Sequence, residues 1–193
     1  MSLPIETKPQ NNRFYTYADY YSWNDEIRRE LIDGKLYVMS PSPTWIHQGI
    51  TVDLVRQFAN FLEGKPSKVF TAPFDVRLNA DTADNTVVQP DVVIICDEKK
   101  LDYKGGCIGV PDLMIEVLSP STVIRDKSVK LKTYLKAGVR EYWIVDPVGC
   151  TVTVHILEDS KYTTTVYDDE SDDIIPVQVL DGCEINIHSV FDQ

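Results

Sequence analysis

The sequence predicts an α/β or α+β fold, a central mixed β-sheet flanked by helices, and three observations carry that prediction. Two short, nearly continuous apolar runs, 86–96 and 112–118, have the pattern of strands buried on both faces. Two helix-like stretches, one opening at Ser42-Pro43 and one over 126–137, stand before and after them in the chain. The last third alternates short β-branched segments with turns, which reads as an added C-terminal β subdomain.

Taken in order, residues 1–13 are polar, contain Pro4 and Pro9, and suit a flexible N-terminal arm ahead of one domain over 14–193. Tyr17 to Leu31 reads as a helix capped by Thr16 or Asp19 and stopped by the Asp33-Gly34 turn. Lys35 to Met39 alternates as a strand. In the next helix Ile46, Ile50, Leu54, Phe58 and Leu62 recur every four residues, so one face is buried, and Gly64 and Pro66 end it. Lys68 to Leu78 is β-rich but interrupted by Pro73, and a polar loop follows over 79–85. Between the two apolar runs, 97–109 is a charged surface connection. The 126–137 helix closes on Gly138, which tolerates a left-handed cap, and Asp126, Lys130 and Tyr134, spaced by four, share one face. Arg140 to Val145 is a further strand, and Thr151 to Leu157, Tyr162 to Tyr167 and Glu184 to His188 complete the β tail.

A chain of 193 residues, 43% hydrophobic and 25% charged, can bury one sizeable core. No apolar stretch approaches the roughly 18 residues needed to cross a bilayer, and no secretory leader is legible, so a cytoplasmic location is expected. The four cysteines form no metal-type pair and read as reduced thiols. A formal charge of −11 argues against tight nonspecific DNA binding. Arg125, Lys127, Lys130, Lys132 and Lys136 nevertheless suggest a local basic face.

The chemistry is concentrated where Pro90-Asp91 and Pro111-Asp112 open the apolar runs. Asp91 begins one predicted strand and Glu116 lies late in the next, so side-by-side pairing brings two carboxylates to one edge. Magnesium needs only one or two protein carboxylates, with water and phosphate filling its other positions, and a lysine can then stabilise charge on a phosphoryl group. The structural alternative is an ordinary strand start at Asp91 and a paired acid at Glu116. An acid inside a strand that otherwise reads as buried favours the chemical reading, because it demands a metal or a lysine.

The run from Pro111 through Glu116-Val117-Leu118-Ser119-Pro120-Ser121, continued by Arg125-Asp126-Lys127, Lys130, Tyr134, Ala137-Gly138 and Glu141-Tyr142-Trp143, resembles a family of uncharacterised bacterial restriction-endonuclease-like proteins within the PD-(D/E)xK nuclease superfamily. Glu30 to Leu36, Met39-Ser40-Pro41, His47-Gln48 and Gln89 to Val92 resemble it too. The resemblance implies a restriction-endonuclease-like α-β-β-β-α-β core, Asp91 and Glu116 as catalytic acids and ligands of Mg2+ or Mn2+, and hydrolysis of double-stranded DNA. The superfamily lysine belongs two residues after the second acid, where this chain has Leu118. Lys130 is the candidate replacement from the following helix, with Lys127 as the alternative. The competing function is a catalytically inactive nucleic-acid- or protein-binding module on the same scaffold.

Secondary candidates are His47, either at a phosphate or metal-bound water or simply a surface or cap histidine, and Glu30, either a third acid, half of an i,i+4 pair or a plain solvent position. Asp126, Lys127 and Tyr134 join them from the helix. The acidic 168–173 segment lacks a calcium-loop pattern and reads as solvated. The aromatic cluster Tyr15, Tyr17, Tyr20, Tyr21 and Trp23 suits a core edge or subunit contact, or base stacking. Cutting two strands is simplest with two related sites, so a homodimer is expected.

Overall fold

In the computed structural model, which describes residues 13–39, 43–103 and 105–193, two β-sheets meet along a seam that holds most of the buried charge. The predicted arm over 1–13 falls almost wholly outside those residues, as do Ser40, Pro41 and Ser42. Helix α1 covers only Tyr17–Ser22, held by a capping box in which the Thr16 side chain and Asp19 reciprocally bond each other's backbone. Strands β1 (Arg29–Ile32) and β2 (Lys35–Val38) then form a hairpin in register Ile32↔Lys35.

This corrects the helix expected over Tyr17 to Leu31. Asp33 and Gly34 both adopt positive φ, 47° and 75°, the combination that a two-residue turn of type I′ needs and that matches the twist of paired strands. The Asp-Gly pair closes a hairpin rather than stopping a helix. Glu30 therefore sits on a strand.

Helix α2 (Trp45–Leu62) is capped by Thr44 and buries Ile50, Leu54, Phe58 and Leu62, while Ile46 stays partly open. Next come β3 (Lys68–Thr71), β4 (Val76–Arg77), β5 (Val87–Val88) and β6 (Val92–Ile95). The apolar run 86–96 is thus two strands, not one. Pro90 lacks an N–H and cannot continue a ladder, so the chain crosses there from one sheet to the other. Strands β7 (Cys107–Ile108), β8 (Leu113–Val117), β9 (Glu141–Asp146), β10 (Thr151–Glu158), β11 (Lys161–Asp168), β12 (Ile174–Pro176) and β13 (Glu184–Asn186) complete the set.

The larger sheet runs β11-β10-β9-β8-β6-β3, with β6 and β8 antiparallel and β8 and β9 parallel, so the two predicted central strands are central. The smaller sheet runs β2-β1-β5-β4-β7. Strands β10 and β11 extend the large sheet itself, whereas β12 and β13 pair separately. On one face of the large sheet Val92, Ile94, Leu113, Ile115, Trp143 and Val145 pack against α2. On the other, Val93, Ile95, Met114, Tyr142 and Ile144 pack against Ile32, Val76 and Val88 of the small sheet.

Between β8 and β9 the chain forms a π-helical segment, Arg125–Lys130, which runs directly into α3 (Leu131–Ala137). Gly138 caps it at φ 83°, as its lack of a Cβ allows. The final helix α4 (Ile187–Phe191) docks on α2 through Asp53, Gln57 and Ser189.

Candidate active site

The β6–β8 register pairs Val92 with Ile115, and one further step sets Asp91 opposite Glu116. Opposed residues of an antiparallel pair share a face, with Cβ atoms about 5 Å apart. That face is the one turned toward the small sheet. Asp91 Oδ2 accepts from Val117 N at 2.8 Å, which fixes the first acid against the strand carrying the second.

Lys130 reaches Glu116 from the helix. Its Nζ donates to Glu116 Oε1 at 2.8 Å, lies 2.9 Å from Glu30 Oε1 and stands 3.6 Å from Asp126 Oδ1. The Tyr134 hydroxyl donates to the same Glu116 oxygen at 2.7 Å. Asp126, Lys130 and Tyr134 therefore converge as their spacing predicts. The local geometry was not foreseen, since a π turn closes i→i+5 and brings residues five apart to the same side. Arg125 Nε accordingly stands 3.6 Å from Glu30 Oε2 while Lys130 holds the other oxygen.

Glu30, for which a third acid, an i,i+4 pair and a solvent position all stand open in the sequence, is fully buried and belongs to this cluster. It also accepts from Gln89 N at 3.0 Å, so β1 is tied to the link between β5 and β6, where the chain passes from the small sheet to the large one. His47 lies at the start of α2 with Nε2 3.2 Å from Asp91 Oδ2. Lys127 points elsewhere, to Asp146 Oδ2 at 3.3 Å. The basic face expected over 125–136 is largely neutralised, and only Lys132 of its five cations stands exposed without an ion pair among the described residues. Lys130 is buried, and Arg125, Lys127 and Lys136 pair with Glu30, Asp146 and Asp33, because the helix turns these cations toward different acids.

Burial raises the Glu116 pKa well above the usual carboxylate range; Lys130 opposes that shift, and the neighbouring Asp126, Asp91 and Glu30 add to it. Asp126 is raised for the same first reason. Burial alone would depress Lys130, but Glu116, Glu30 and Asp126 outweigh it and hold the ammonium charged. For His47, burial works against protonation, and Asp91 together with the Val117 backbone overcomes it.

Asp91, Glu116, Asp126, His47, Arg28 and Arg125 line one cavity of about 360 Å³, which also meets the Ser119-Pro120-Ser121-Thr122 turn. Among the described residues no three His, Cys, Asp or Glu side chains gather to hold a metal ion unaided. The donor set still fits a hard cation, for which two carboxylates suffice when water and substrate complete the shell. Glu116, Asp126 and Glu30 are set against Lys130 and Arg125, and Asp91 against His47, yet Glu30 Oε2 and Asp126 Oδ1 are buried without a hydrogen-bond partner. Buried carboxylate oxygens left without a hydrogen bond favour a cation close by.

Sequence reasoning missed Arg28 and Gln89 as members of the site. Gln89 left a signal, a polar side chain beside Pro90 inside an apolar run; Arg28 left none.

Comparison with known proteins is consistent with this geometry. A solved structure of a putative nuclease belonging to DUF820 from Anabaena variabilis superposes with a TM-score of 0.74 over 92% of this chain and 97% of that one, at 22% identity, which shows a common fold. The uncharacterized protein slr1290 of Synechocystis sp. is 28% identical over 145 residues, 73% of each chain. The family model Uma2, described as "Putative restriction endonuclease", matches residues 15–188, from just before α1 into α4 and across both acids and the lysine, and the chain belongs to that family.

Proposed function

We propose that the protein is a nuclease that hydrolyses phosphodiester bonds of double-stranded DNA with the help of Mg2+ or Mn2+ held by Asp91 and Glu116. One observation carries this reading: two carboxylates oppose each other across central strands at a cavity, with a buried lysine on the second. A bound divalent ion supplies Lewis-acid stabilisation of charge at a phosphoryl oxygen and makes water more acidic. Lys130 and Tyr134 both hold Glu116 Oε1, which fixes the carboxylate's orientation, and Glu30 fixes Lys130 in turn. The ammonium is 2% exposed, so Lys130 acts through Glu116 rather than on substrate. It is a positioning residue.

Purified protein is expected to cut duplex DNA in Mg2+ or Mn2+, and Asp91→Ala and Glu116→Ala each abolish cleavage. Cleavage that survives both substitutions removes the assignment. The burial of Lys130 also favours a second reading, a binding module that does not turn over; it predicts no cleavage, and no rise in melting temperature when either metal is added. We place the protein in the cytoplasm, where its free cysteines fit. We also propose that 14–193 is one domain and acts as a homodimer, with one site per DNA strand. Among the described residues no helix is long and apolar enough to cross a membrane.

A further inference from the structure

Arg13, Arg29, Arg56, Arg77, Arg125 and Arg140 each stand within ion-pair distance of a carboxylate. Arg28 alone among the arginines has no ion pair among the described residues, although the chain carries thirty acids. Its guanidinium is held by a neutral group: Nε and Nη2 donate to Gln89 Oε1 at 3.1 and 2.8 Å.

That amide cannot turn round. Gln89 Nε2 donates to Asp75 Oδ1 at 2.8 Å and to the Tyr20 hydroxyl at 3.2 Å. A carboxylate only accepts and a guanidinium only donates, so the nitrogen must face Asp75 and the oxygen must face Arg28. Gln89 is 7% exposed, whereas Arg28 is exposed and lines the cavity that holds Asp91 and Glu116. A half-buried relay thus orients an arginine at the candidate active site, with no carboxylate in ion-pair contact with it among the described residues.

We infer that Arg28 is the phosphate-binding residue of this site, gripping a backbone phosphate of the nucleic acid. The inference rests on the nuclease reading above and deepens it. A planar guanidinium suits phosphate because two parallel N–H groups meet two oxygens. It also supplies the substrate-facing cation that buried Lys130 cannot be. The acids across the cavity repel phosphate, so the arginine sets where the backbone lies relative to them.

The test compares wild type, Arg28→Gln and Arg28→Lys in cleavage of a duplex oligonucleotide over a range of salt, with the Arg28 Nε resonance followed during titration with inorganic phosphate. Arg28→Gln is expected to raise KM on the order of tenfold, the loss of one charge-assisted contact. The slope of log affinity against log salt should become shallower by about one unit. Arg28→Lys keeps the charge without the fork and falls between the two. Cleavage with unchanged KM and salt slope in Arg28→Gln overturns the inference and leaves the nuclease reading standing. If wild type cuts no DNA, the nuclease reading fails and the titration decides: a saturable shift at Arg28 Nε supports the anion site, and none overturns it.

Discussion

Glu116 and Glu141 are buried glutamates on adjacent strands, β8 and β9, yet they live in opposite circumstances. Glu141 Oε1 accepts from the Trp143 indole at 2.7 Å and Oε2 from Val179 N at 2.9 Å. Both donors are neutral and fixed. Glu116 instead receives an ammonium and a phenol on a single oxygen, with Asp91, Asp126 and Glu30 close enough to raise its pKa. An acid in an apolar strand is therefore no sign of chemistry by itself. What separates the two is the company of other charges and an opening onto a cavity.

The sharpest way to break that contrast is to remove the cation. Lys130→Met leaves Glu116, Glu30 and Asp126 without it and is expected to cost about 3–5 kcal/mol in denaturant unfolding. A loss no larger than that of an ordinary buried hydrogen bond would show that the cluster is not ionic. Glu141→Gln comes next. Its amide NH2 must face an indole or backbone N–H, at a cost of about 1–3 kcal/mol, while cleavage persists. Abolition of cleavage by this change would erase the distinction between the two acids.

His155 extends the contrast to a base. It lies between Tyr142 and Tyr162, Nδ1 is 2.8 Å from Thr164 Oγ1, and Nε2 is buried without a partner. Burial lowers its pKa below the ordinary histidine value. The unfolded chain then binds the proton more readily, so this contribution is intact above the unfolded pKa, about 6.5, and is lost as pH falls. Melting temperature measured from pH 7 to 5 should fall more in wild type than in His155→Phe. Equal slopes would show that the ring carries no such penalty. The smallest effect belongs to Lys127→Ala, which breaks only a surface pair and should cost less than about 1 kcal/mol with cleavage retained. If it behaves like Lys130→Met, the assignment of the lysine is wrong.

Much of the frame was legible because its signals are local. The four-residue repeat from Ile50 to Leu62 marks the buried face of α2, and Gly138 marks the end of α3. The opposition of Asp91 and Glu116 follows once two apolar runs are paired. The hairpin was missed because Asp33-Gly34 ends a helix or turns a strand equally well, and pairing with β5 decides between them. Pro90 was the visible clue that 86–96 changes sheets. Arg28 could not be found, since its partner Gln89 lies 61 positions away in sequence, and Arg125, read only as part of a basic face and a motif, meets Glu30 across 95 positions.

The π turn at Arg125–Lys130 bears on how relatives are aligned. Such a turn holds one residue more than an α-turn serving the same span, and each helical residue advances direction by about 100°. A relative one residue shorter here would close an ordinary α-turn and present either the arginine or the lysine to Glu30, not both. The gap belongs inside the helix. An alignment that moves it into the neighbouring loop would match the wrong cation to Lys130 and mistake an intact site for a degenerate one.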